Sequence, residues 1–91
     1  MGIDGQAGGA DRLLDHLDQL HTTELGALRI RRNLALEGNV NVVAWCRGRI
    51  GAPASTITRQ GKNWYITAGR CRITVNAHSY TIITAHRLKT E

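Results

Sequence analysis

The hydrophobic period of this chain changes once, at Pro53, and that change limits the fold more than any other feature. Before Pro53 the apolar residues recur every three or four positions, as one side of a helix requires. After it they alternate, as a half-buried strand requires. Helices followed by strands define an α+β domain, not an alternating α/β one. With 91 residues there is room for one domain and one modest core.

The helical part divides into three. Residues 1–10 hold four glycines and read as a flexible leader ahead of a single domain over 11–91. Leu13, Leu14, Leu17 and Leu20 give the first helix an apolar side, with Asp11 as its cap and His16 among acids on its solvated side. His21-Thr22-Thr23-Glu24 breaks that helix and starts a second, for which Thr22 or Thr23 supplies the N-terminal acceptor. Its apolar side is expected to carry Leu25, Leu28, Ile30, Leu34 and Leu36, opposite Arg29, Arg31 and Arg32, until Glu37-Gly38-Asn39 ends it. A third helix is expected over Val40 to Ile50, closed by Gly51 and barred from continuing by Pro53.

Four short strands are expected next: Ser55–Arg59, Asn63–Thr67, Cys71–Asn76 and Tyr80–Leu88. Gln60-Gly61-Lys62 and Ala68-Gly69-Arg70 suit tight hairpins, while Ala77–Ser79 lacks the glycine of the other two turns. The expected fold is therefore three N-terminal helices packed on one face of a four-stranded antiparallel meander. Alternation sets Trp64, Ile66, Ile73 and Val75 on one side and Asn63, Tyr65, Arg72, Thr74 and Asn76 on the other. In the last strand Tyr80, Ile82, Thr84, His86 and Leu88 share one side, and Thr81, Ile83, Ala85, Arg87 and Lys89 share the other. Both sets contain isoleucine, so alternation leaves open which of them faces solvent.

Charge separates the two parts as well. Residues 29–91 hold eleven of the twelve cations and two acids, whereas residues 1–28 hold five acids and one cation. Ten of the cations are Arg, whose planar fork grips phosphate in two places. A polyanion is the expected partner, RNA or DNA first. Cys46 and Cys71 form no disulfide framework, and no metal-ligand spacing or cofactor motif is present. No membrane-spanning run or signal segment is evident, so a cytoplasmic location is expected.

Asn76-Ala77-His78-Ser79-Tyr80-Thr81-Ile82-Ile83-Thr84-Ala85-His86-Arg87 places two imidazoles, several hydroxyls and a guanidinium in one strand-like stretch. Histidine titrates near neutrality, so paired histidines on a rigid strand suit acid–base chemistry. Together with His21-Thr22-Thr23-Glu24-Leu25-Gly26 and Gly61-Lys62-Asn63-Trp64-Tyr65, this stretch resembles a small bacterial domain family of unknown function over Leu13 to Lys89. The helices-then-sheet order and the closing Ser-Tyr-Thr-Ile-Ile-Thr-Ala-His strand are also distantly similar to the barnase/EndoU/colicin/RelE-like ribonucleases. That second resemblance implies a metal-independent, toxin-like endoribonuclease that cuts tRNA or mRNA.

Such a site needs a base for the 2′-hydroxyl proton, an acid for the departing 5′-oxygen and a cation for the phosphorane, leaving a cyclic phosphate and a 5′-hydroxyl. His86 and His78 are the acid–base candidates, in either order, and Lys62 and Arg87 the phosphate clamps. Thr84, Thr81, Ser79 and Asn76 are candidates to orient phosphate or ribose. Tyr65 or Tyr80 would stack on a base, Arg72 adds charge, and His21 enters from the interhelical turn. Each also has a plain structural use: a strand or helix-end histidine, a hairpin lysine, a solvated arginine. A toxin-like protein leaves room for an acidic inhibitor protein as partner. The alternatives are a nucleic-acid-binding module without catalysis, which needs the basic face but no acid–base pair, and a protein-interaction domain. The RNA target and oligomeric state have no sequence signature here.

Overall fold

The computed structural model describes residues 10–88, so the glycine-rich leader and Lys89 lie outside the described residues apart from Ala10. Three helices precede a four-stranded antiparallel meander in the order β1-β2-β3-β4, as expected. The helices are α1 (residues 10–15), α2 (Glu24–Leu34) and α3 (Val42–Ile50). The strands are β1 (Thr56–Gln60), β2 (Asn63–Ala68), β3 (Cys71–Asn76) and β4 (Ile82–Arg87).

The first helix is shorter than its leucine spacing suggests. His16 leaves helical geometry (φ −125°, ψ 31°) and a single 3₁₀ turn covers Leu17–Gln19. Two carbonyls that would feed a longer helix are taken by side chains: Arg12 O accepts from His16 Nδ1 at 2.8 Å and Leu17 O from Arg47 Nε at 3.0 Å. His16 is therefore not a solvated surface group; it is half-buried, with its ring 5.6 Å from that of Tyr80.

Thr23 caps α2 by accepting from Gly26 N at 2.9 Å, and Asn41 caps α3 by accepting from Ala44 N at 2.9 Å. The second helix stops at Ala35, ahead of the expected Gly38, because Ala35 adopts the left-handed conformation (φ 55°). That conformation costs a non-glycine residue on the order of 1 kcal/mol. It is offset locally, since Leu36 N bonds Arg31 O at 2.9 Å and the Arg31 guanidinium bonds the carbonyls of Glu37 and Val40. The buried side of α2 is Ile30 and Leu34 with Ala27 against them. Leu25 and Leu28, assigned to that side by spacing alone, are 58% and 59% exposed. Gly51 closes α3 with a right-handed φ of −78°, so its cap does not depend on glycine's freedom.

Both short hairpins are two-residue turns with a positive-φ glycine first: Gly61 (60°) between Gln60 and Asn63, and Gly69 (61°) between Ala68 and Cys71. Positive φ at the first central position alone is the type II′ pattern, whose twist matches that of paired strands. The third connection is longer. Tyr80 takes φ 60° there, and Asn76 Oδ1 organises the turn by accepting from His78 N (2.9 Å) and Ser79 N (3.0 Å).

The face of β4 is set by a bulge. Val75 pairs with Ile82 and Thr74 with Thr84, leaving Ile83 as the extra residue, 45% exposed. Strict alternation would put Ile82, Thr84 and His86 together; instead Ile82 and Ala85 are buried while Thr84 and His86 share the side of Thr74 and Arg72. Trp64, Ile66, Ile73, Val75, Ile82 and Ala85 join Leu13, Ile30, Leu34, Val42, Cys46 and Ile50 in one buried cluster. Each buried aliphatic side chain contributes roughly 1.5–3 kcal/mol. The other face is polar at every paired position, from Thr56, Thr58 and Gln60 through Asn63, Tyr65 and Thr67 to Arg72, Thr74 and Asn76, then Thr84 and His86. Among the described residues no helix is long and apolar enough to cross a membrane.

Candidate functional site

Two groups of candidate side chains emerge, one at the turn end of the β3–β4 hairpin and one along the polar face of the sheet. The first is built by the His21–Gly26 segment. His21 N donates to Tyr80 O (3.2 Å) and His21 O accepts from Ile82 N (2.7 Å), a one-residue parallel bridge at the outer edge of β4. Thr22 Oγ1 donates to Ile82 O at 2.9 Å. A Cβ on Gly26 would collide with that same Thr22 hydroxyl, which accounts for the glycine here.

The bridge carries the His21 ring to the turn after β3. A carbonyl can only accept, so the 3.0 Å contact from His21 Nδ1 to Gln19 O puts the proton on Nδ1. In neutral His21 the Nε2 lone pair then accepts from Thr81 Oγ1 at 3.1 Å. Ser79 Oγ lies 2.7 Å from Thr81 Oγ1 and 3.2 Å from Asn76 Oδ1. Thr81, having given its proton to the imidazole, accepts from Ser79, whose single proton then does not serve the longer contact to Asn76 Oδ1. The result is a directed chain of hydroxyls ending on an imidazole whose tautomer is held by a main-chain carbonyl. Exposed Lys62 adjoins this group, since its carbonyl accepts from Ala77 N at 2.8 Å, and the His78 ring is exposed on the same turn.

The second group lies on the polar sheet face. The Arg72 guanidinium stands 5.1 Å from the centre of the Tyr65 ring, and Asn63 Nδ2 approaches Tyr65 Oη at 3.4 Å. Arg72 pairs in register with His86, and Thr74 with both Tyr65 and Thr84. Asn63 Oδ1 and Arg72 Nε are shielded from solvent without a protein partner.

His86 and His78 are not brought together. Asn76 lies four positions beyond Arg72 on β3, roughly 13 Å at the rise of an extended strand, and His78 is further still. No single phosphate spans that gap, so His86 with Thr84 and His78 with Lys62 belong to different ends. Arg87 is also parted from His86: it pairs with Cys71, and its guanidinium donates to Leu34 O at 3.1 Å. Tyr80 spends its ring on packing, 5.5 Å from Trp64, which leaves Tyr65 as the aromatic of the polar face. His21 moves the other way, from a peripheral candidate to the hub of four site residues. Gln19 O and Thr22, which orient it, carry no sequence signal, because their partners are defined only by the fold.

Cys46 is fully buried, and burial, then the neighbouring Cys71, pushes its thiol up from 9.0 to about 12. It is a packing group, not a nucleophile. Among the described residues no three His, Cys, Asp or Glu side chains cluster as metal ligands would.

Fold and site together describe a small α+β domain with a polar sheet face and a histidine–hydroxyl chain at one rim. The chain belongs to the family described as "Protein of unknown function (DUF3781)", whose model matches residues 14–86. The expected membership of a small domain family of unknown function is thereby met. No curated protein and no solved structure matches the chain.

Proposed function

We propose that this domain is a nucleic-acid-binding module, RNA before DNA, whose helices cover the apolar face of the sheet and whose polar face meets the ligand. The observation that carries this is the Arg72–Tyr65 platform, set in a face polar at every paired strand position. An aromatic ring beside a guanidinium offers a base one surface to stack on and one cation for its phosphate. The surrounding amides and hydroxyls supply partners for ribose and base edges. Polarisation titrations with labelled single-stranded RNA test it. Wild-type binding should weaken steeply with salt, and Tyr65→Ala or Arg72→Ala should cost about 1–3 kcal/mol. Absence of binding at low salt, or full affinity in both variants, rejects it.

A second reading, toxin-like RNA cleavage without a metal, is favoured by the His21 tautomer. With Nε2 unprotonated, His21 would exchange its Thr81 partner for the 2′-hydroxyl and take that proton as the oxygen attacks phosphorus. His78 would return a proton to the 5′-oxygen, with Lys62 on the phosphate. Here His21→Ala should abolish cleavage and spare RNA affinity, whereas His86→Ala should spare cleavage. Wild-type protein that leaves tRNA and total RNA intact, in EDTA and in magnesium alike, eliminates this mechanism but not the first.

A further inference from the structure

A cleft of about 500 Å³ takes no part in either reading. It opens at the end of the sheet remote from His21, between the last turn of α2, the side of α3 and the β2–β3 turn. Three arginines line it from three separate elements: Arg49 on α3, Arg70 in the turn and Arg87 on β4. Trp45 is its aromatic wall, Leu34, Leu36 and Leu88 line it with aliphatic surface, and none of the described residues lining it is acidic.

The three guanidiniums differ in their commitments. Arg87 is occupied by Leu34 O, one of the carbonyls left over at the α2 C-terminus, and so cancels the partial negative charge that this helix end brings to the cleft. Arg49 lies over the Trp45 ring at 4.6 Å and is exposed. Arg70 is exposed, and its carbonyl accepts from Leu88 N at 2.7 Å, which fixes its backbone at the cleft mouth. Two arginines thus keep donors available beside a flat, half-buried indole. The volume falls within the roughly 300–1,000 Å³ usual for small-molecule sites.

We propose that this cleft binds a nucleoside monophosphate, its phosphate held by Arg70 and Arg49 and its base laid against the Trp45–Arg49 pair. Arginine forks match phosphate oxygens two at a time, and the indole face suits a planar ring. The site is separate from the polar sheet face and stands without the RNA proposal.

The full chain is titrated with adenosine and guanosine monophosphates, with adenosine, ribose 5-phosphate and inorganic phosphate alongside, following tryptophan fluorescence. A second readout is alkylation of Cys71, the half-buried thiol in the cleft wall, against which buried Cys46 stays silent. The expected result is saturable quenching with a Kd on the order of 1 mM or tighter and protection of Cys71 by nucleotide. Arg70→Ala should weaken binding by about tenfold or more, and Arg72→Ala should not change it. No saturation, equal affinity for inorganic phosphate, or unchanged binding in both Arg70→Ala and Arg49→Ala overturns the proposal. Loss of RNA binding in Arg72→Ala with nucleotide binding intact would separate the two surfaces.

Discussion

The two ends of the β3–β4 hairpin solve opposite problems. At the Asn76–Thr81 end the polar side chains answer one another: Ser79, Thr81 and His21 form a run of hydrogen bonds that ends on Gln19 O, beside exposed Lys62. At the Cys71–Arg87 end arginines gather: Arg87 is spent on a carbonyl, Arg49 and Arg70 face a cleft, and Arg72 stands on the polar sheet face. The first end is organised around its own side chains, and the second is where we propose that a nucleotide binds. Twelve consecutive residues rich in proton carriers thus do not make one reaction centre, because an extended strand spreads them over both ends.

Substitutions can break this contrast in order of size. Trp64→Ala removes the ring that packs against Tyr80 and leaves a hole in the buried cluster, so about 3–5 kcal/mol of stability should disappear in a denaturant titration. Gly26→Ala should act on the His21 end alone. By forcing the Thr22 hydroxyl off Ile82 O it should cost about 1–3 kcal/mol and speed exchange of the Ile82 amide, with the arginine cleft unaltered. If Ile82 exchange does not change, the bridge is not pinned by Thr22.

Cys46 gives a pH-dependent test. Its thiol titrates at about 12 when folded, against 9.0 as its reference value. The unfolded chain therefore releases this proton first, so the stability it lends is complete below pH 9 and declines as pH rises toward 12. The slope attributable to one thiol is at most about 1.4 kcal/mol per pH unit. It should be missing from the difference curve of Cys46→Ala, and identical slopes in both proteins would deny the burial effect. Arg87→Ala should cost only about 1 kcal/mol, concentrated as fraying at the α2 C-terminus, because one part-buried hydrogen bond to the Leu34 carbonyl is lost. Arg70→Ala should change stability by less than about 0.5 kcal/mol, which makes it the clean probe of ligand binding at that end.

Much of the fold was readable from the residues. Leucine spacing, Thr23 and the two glycine hairpins carry local information, and local information sufficed for element order and sheet topology. What escaped was either non-local or energetically balanced. His21 meets Thr81 sixty residues away, and no spacing rule announces that contact. Ala35 ends α2 in a conformation that glycine would have advertised. Isoleucines at 82 and 83 fit either face equally, so only pairing with Val75 could say which turns inward. The candidate site suffered most. His21 was legible as a residue but not as a hub, and the arginine cleft gathers side chains from three elements with no motif among them.

Ile83 has a consequence of its own. Since it stands outside the ladder, excising it would leave Ile82 beside Thr84, and Thr84, Ala85 and His86 would keep their present orientations in a straight, uninterrupted pairing. It is thus a dispensable link in β4. A shortened chain lacking it should close the same hairpin with less coil and one fewer greasy side chain in water.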